Sequence, residues 1–199
     1  MDTKLLDVSS TLVCIGSILY RKSVFSTALD IFSESYRIRK SNLGQDHRDV
    51  AFCLYNIGNI QHHTGCYEEA IESYTETLRV EKLVHGEVHK DVAMTLFKLG
   101  EVNKSAGNIE GSLRYFEQSL SVERRLSSSP STDDCAYMAR VLSEIGNIHL
   151  FRGDVMPMME AFNESSRLYR EAGLDPNNVV VSEHLYALDC SFSEAAAAA

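Results

Sequence analysis

An all-α fold of four helix-turn-helix repeats is predicted by three observations. A glycine-centred phrase recurs at a fixed period, small residues follow it at a fixed distance, and turn-forming residues are few. The chain of 199 residues holds only 3 prolines and 11 glycines, too few for the turns of a many-stranded sheet. Hydrophobic residues make up 44% and charged residues 24%, a balance that supports a buried core.

The anchors are Gly16, Gly58, Gly100 and Gly146, in LVCIGSI, LYNIGNI, LFKLGEV and LSEIGNI, at intervals of 42, 42 and 46 residues. The longer interval contains the Ser/Pro-rich stretch SSSPSTDD around Pro130, read as a loop insertion. Seven residues after each anchor stand Ser23, Gly65, Gly107 and Gly153, small residues that let the chain turn out of a first helix. Second helices follow, with apolar stripes at 3–4 residue spacing: Phe25, Ala28, Leu29, Phe32, then Tyr67, Ala70, Ile71, Tyr74, then Ile109, Ser112, Leu113, Phe116. The fourth stripe is Val155, Met158, Met159 and Phe162, with Asp154 as the expected N-cap and Pro157 confined to the first turn. The anchor glycine and a small residue such as Ala70 or Ser112 are expected to let paired helices approach closely. The repeats run over about 8–43, 48–85, 90–127 and 134–173, forming a domain over 1–174. After LDPNN, residues 175–199 supply a C-terminal capping helix and an alanine tail.

This spacing resembles the tetratricopeptide consensus, with Leu12, Leu54, Leu96 and Leu142 where that consensus has tryptophan. The linkers GQDHRDVA from Gly44 and GEVHKDVA from Gly86 look like those of kinesin light chains, with Arg48 and Lys90 at the family's proline position. The resemblance covers about residues 8–172. It implies a right-handed α-solenoid whose repeats bind cargo and adaptor peptides. Asp49 and Asp91 are expected to cap the next helix or favour its positive end.

A net charge of −9 opposes duplex nucleic-acid binding, which needs clustered Lys and Arg. It equally opposes an acidic membrane surface. No apolar run approaches the roughly 20 residues of a membrane span, so membrane insertion is not expected. The five cysteines form no CxxC pair and are read as reduced. Cytoplasm is the default compartment, and an organellar targeting segment upstream stays open.

No phosphate loop, GxSxG elbow or positioned Cys-His pair is present, so no enzyme is expected. No cofactor is expected either. His85-Gly-Glu-Val-His89 has the two-histidine spacing of a zinc-protease helix, but its glutamate is one place late and Gly86 interrupts it. It is read as linker, not as a metal site. His62 and His63 point about 100° apart on a helix and are read as a solvated pair.

The open, concave face follows from helical phase if each anchor leucine lies on the packed side. The peptide-binding residues expected there are Phe52, Tyr55, Asn56, Asn59, His63, Phe97, Lys98, Glu101, Arg140 and Asn147. Across the four first helices this face carries Arg21, Lys98, Lys104 and Arg140 against Glu101 and Glu144, a formal +2 on an acidic chain. Asparagine amides both donate and accept, as a peptide backbone does. The expected function is a non-enzymatic adaptor or scaffold holding a protein or peptide of acidic character. The alternative is a structural subunit docked in a large multiprotein assembly through its convex face or ends.

Overall fold

The computed structural model describes residues 3–126 and 129–174. The expected capping helix and tail lie outside the described residues. Eight α-helices occupy the described chain: α1 (Thr3–Arg21), α2 (Phe25–Leu43), α3 (Arg48–His63), α4 (Tyr67–His85), α5 (Lys90–Ser105), α6 (Ile109–Leu126), α7 (Thr132–Arg152) and α8 (Val155–Glu171). The described residues include no strand. These helices form the four expected pairs. The chain divides into two compact units, Met1–Val122 and Glu123–Ala199. The first holds α1 to α5 and most of α6. The second holds the end of α6 with α7 and α8.

Within each pair one contact repeats. A Cβ placed on Gly16, Gly58, Gly100 or Gly146 would come within 2.9, 2.9, 2.5 or 2.7 Å of the ring of Phe32, Tyr74, Phe116 or Phe162. The glycine therefore exists to seat an aromatic ring from the second helix, a refinement of the expected glycine-to-small-residue contact. The small residue still takes part in the third pair, where the Ser112 hydroxyl donates to the Gly100 carbonyl at 2.8 Å. The rings of Phe32, Tyr74 and Phe116 are fully buried, and each contributes roughly 1.5–3 kcal/mol of apolar burial.

A second repeated bond was not foreseen. Buried hydroxyls of Ser35, Ser119 and Ser165 donate to the carbonyls of Ser9, Ala93 and Ala139, each 26 residues earlier, and Thr77, which donates to the Ser73 carbonyl at 2.8 Å, stands 3.5 Å from that of Ala51 at the same spacing. Each contact at this spacing crosses from the second helix of a pair to the first. It satisfies a polar side chain that burial would otherwise penalise.

The turns follow the small residues. Ser23, Gly65, Gly107 and Gly153 all take positive φ, between 58° and 82°. Ser23 alone does so with a side chain. The caps differ from expectation. His47 and His89, not the aspartates, are the N-caps of α3 and α5: each Nδ1 accepts from the backbone N–H of Asp49 or Asp91, at 3.1 and 3.2 Å. Asp49 and Asp91 sit in the first turn, where the helix dipole favours a negative charge. Asp154 occupies the N-cap of α8 without a side-chain capping bond, because its carboxylate turns back to His149 at 3.2 Å. Pro157 lies in the first turn of α8, as expected. The insertion ends in a capping box between Ser131 and Asp134 that starts α7.

In the first unit, second helices pack onto the next first helix. Ala28 and Phe32 cluster with Ile57 and Ile60, and Ala70 and Tyr74 cluster with Leu99 and Val102. On α1 the corresponding apolar positions face outward: Ile18 is 47% exposed, whereas Ile60, one repeat later, is fully buried. By length and composition alone α1 is long and apolar enough to cross a membrane, an 18-residue window of its 19 residues reaching a mean hydropathy of 1.2. Small residues among the leucines, valines and isoleucines hide this from a search for continuous apolar runs. α1 is paired with α2 here through the Gly16–Phe32 contact.

Candidate functional site

Two helix ends and two helix starts of the first unit border an open-mouthed cavity of about 470 Å³. The late residues of α2 and α4 contribute Arg39, Glu81 and Val84, and the early residues of α3 and α5 contribute Phe52, Met94 and Thr95. Tyr55, His85, Asp49 and Asp91 also line it. The linkers create it. Gly44 and Gly86, at φ +86° and ψ 163° and 175°, reverse the chain in a region that side chains avoid.

The wall combines apolar and charged groups. Phe52 and Met94 are 47% and 40% exposed, large apolar side chains open to a ligand. Arg39, almost fully buried, donates from Nε to the Ser9 hydroxyl at 2.8 Å and from Nη1 to the Asp49 carbonyl at 3.1 Å. Glu81 occupies the same repeat position 42 residues later, and its Oε2 has no hydrogen-bond partner. Burial pushes the Glu81 carboxyl up to about 7; the nearby Asp91 charge adds to the shift and Thr95 opposes it.

Of the ten residues expected to bind peptide, Phe52 and Tyr55 line this cavity. Tyr55 also packs edge-on against Tyr74, with centroids 5.8 Å apart. Asn56 is half-buried and donates its amide to the Phe52 carbonyl of its own helix at 2.7 Å. Asn59 accepts from the Tyr74 hydroxyl at 2.8 Å, so its carbonyl is already engaged. Burial raises the Tyr74 hydroxyl's pKa, keeping it a donor. Phe97 does not belong to an open face. It is 3% exposed and packs against Phe116 with centroids 5.2 Å apart, because α5 buries a wider arc than one apolar stripe. Lys98 and Glu101 are joined at 2.6 Å, which offsets the basic charge expected there. Arg140 is exposed and Asn147 half-buried on α7, in the second unit.

Of the histidine pair, His63 is exposed, as a solvated residue would be, while His62 is half-buried. His63 stacks on Phe25 at 5.6 Å, and His62 meets the Ser105 hydroxyl at 3.0 Å. Burial lowers the His62 pKa. The cavity's buried charges escaped the sequence reading. Their one signal was a charged residue at a repeated place in the second helix, Arg39 and then Glu81.

Paired helices with an anchor glycine under an aromatic ring define a helix-turn-helix repeat protein. The chain belongs to the tetratricopeptide repeat family, which it matches over residues 7–80 and 53–125. Among solved structures it is similar to BtubC (BKLC) from P. vanneervenii, at 18% identity and a TM-score of 0.77, over 83% of this chain and 64% of that one. It is similar to aspartyl phosphate phosphatase F from Bacillus subtilis, at 15% identity and a TM-score of 0.77, over 92% of this chain and 44% of that one. A third is a putative kinesin light chain from Podosopora anserina with nearly identical TPR-like repeats, at 12% identity and a TM-score of 0.58, over 94% and 95%. This chain thus spans less than two thirds of the first two. No curated protein matches it. These likenesses are in fold, and the phosphatase activity in one name stays with that protein.

Proposed function

We propose that the chain is a non-enzymatic interaction module that holds a partner peptide against α3 and α5 of the first unit, acting as an adaptor. The observation that supports this most is the cavity with Phe52 and Met94 exposed at its wall and Tyr55 behind them. Exposed apolar anchors beside charged groups suit a peptide with one bulky apolar side chain, the kind of contact that dominates binding energy. Arg48, exposed at the wall, and the buried Arg39 stand there with the carboxyl groups of Asp49, Glu81 and Asp91, so the wall offers polar partners of both signs. Affinity capture with the intact chain and with a Phe52→Ser, Met94→Ser variant tests the reading. Loss of the captured partner from the variant, with its circular dichroism unchanged, is expected; full retention overturns it.

A second reading, a subunit docked by its end into a larger assembly, is favoured by α1, where Leu5, Val8, Ile15 and Ile18 are exposed. That reading expects stoichiometric co-purification that survives high salt and is lost with Ile15→Lys, Ile18→Lys. A partner retained by this variant overturns it.

A further inference from the structure

We propose that His85, His89 and Asp91 form a binding site for a transition-metal dication of the zinc class, at the edge of the cavity that His85 and Asp91 also line. α4 ends at His85, Gly86 reverses the chain, and His89 caps α5. This fold-back brings the two imidazoles face to face, with centroids 4.2 Å apart and planes inclined by 13°. One donor atom from each of the three side chains lies within 4.8 Å of the others. Asp91 Oδ2 is 3.7 Å from His85 Nε2 and 3.5 Å from His89 Nδ1.

Tetrahedral zinc bonded at about 2.0–2.2 Å places its donors about 3.3–3.6 Å apart. Both carboxylate-to-imidazole separations are already close to that. The imidazoles must tilt out of their stack to share an ion, and their exposure permits it: side chains of His85, His89 and Asp91 are 20%, 39% and 50% exposed. Two imidazole nitrogens with one carboxylate select zinc-class ions over calcium or magnesium, which take oxygen donors. Water completes the fourth position.

Repetition explains only part of this cluster. His47 and Asp49 recur as His89 and Asp91, so capping alone accounts for those two. It does not account for His85, whose place in the preceding repeat is held by Leu43. The second linker therefore has one more imidazole than capping needs, and it stands within ligand range of the other two donors. Metal bonded at His89 Nδ1 replaces the capping bond from Asp91, so binding and the start of α5 are coupled.

The test is zinc titration of the EDTA-stripped chain against a chromogenic chelator, with Co²⁺ absorption as a second readout. One site per chain is expected, with the intense visible band of a tetrahedral Co²⁺ centre. His85→Leu, which installs the first linker's residue, and Asp91→Asn, which keeps the backbone cap, are each expected to weaken binding at least roughly tenfold. His47→Ala is expected to leave it unchanged. Absence of stoichiometric uptake overturns the proposal. So does affinity equal to the parent chain in both His85→Leu and Asp91→Asn, which places the ion elsewhere. Peptide capture is read separately, in EDTA, so failure of one result does not decide the other.

Discussion

The two linkers of the first unit, from Gly44 and from Gly86, are one backbone device built twice on different side chains. Both glycines take the same strained conformation, and both histidines cap with Nδ1. What differs is the neighbourhood. Beside the first linker stands Arg39, buried and bonded to the Ser9 hydroxyl and the Asp49 carbonyl, and Leu43. Beside the second stand Glu81, with an oxygen left unpaired, and His85 stacked on His89. Repetition specifies the path of the chain, while substitutions at equal repeat positions give the second linker the His85, His89 and Asp91 cluster.

The largest expected effect breaks the equivalence of Arg39 and Glu81. Arg39→Met removes a charged donor from the Ser9 hydroxyl and the Asp49 carbonyl, and hydrogen bonds to charged groups are worth about 1.5–3 kcal/mol each. A loss of about 2–4 kcal/mol is expected by urea denaturation, since partial relaxation recovers some of the two bonds. Gly44→Ala and Gly86→Ala should come next and should match. Neither added methyl meets another atom within 4 Å, so the cost is backbone strain alone, about 1–3 kcal/mol in each. Unequal costs would show that the two turns are not the same device.

The parts of this molecule legible in its sequence are those set by local chemistry and repetition. Anchor glycines, positive-φ turns and the apolar stripes of the second helices each depend on a single residue type at a fixed phase. The candidate site depended on more. A first helix between two second helices is covered from two sides. α5 buries Val92, Ala93, Leu96, Phe97, Leu99 and Val102, and a phase drawn from one leucine misplaced Phe97. Asn56 and Asn59 are half-buried, and their amides are partly used by Phe52 and Tyr74. The cavity and the His85, His89, Asp91 cluster arise where separate helix ends meet, which no periodic pattern encodes.

Glu81 sharpens the comparison through pH. Its ordinary value of 4.5 rises to about 7 in the folded chain, chiefly because burial disfavours the charged form. Between these values the folded state keeps a proton that the unfolded state has released, so stability falls as pH rises through that window. Below 4.5 both states hold the proton and the penalty is absent; above 7 it is complete. Glu81→Gln is therefore expected to stabilise the chain at pH 8 by about 1–3 kcal/mol and to have little effect near pH 4.5, measured in EDTA. A pH-independent difference would remove burial of the charge as the cause.

The smallest effects separate the two caps. His47→Ala should cost about 0.5–1.5 kcal/mol, the range for losing an N-cap acceptor. His89→Ala should cost that amount plus the stack on His85, about 0.5 kcal/mol more by analogy with aromatic pairs. Asparagine decides between the two contributions, since its short carbonyl caps a helix without presenting a ring. His47→Asn should be close to neutral, whereas His89→Asn should keep a deficit of about 0.5 kcal/mol. That deficit should vanish in a His85→Leu background, where the stack is already gone. If it persists there, the second histidine is held by something other than the first, and the two linkers differ in their caps as well as in their neighbours.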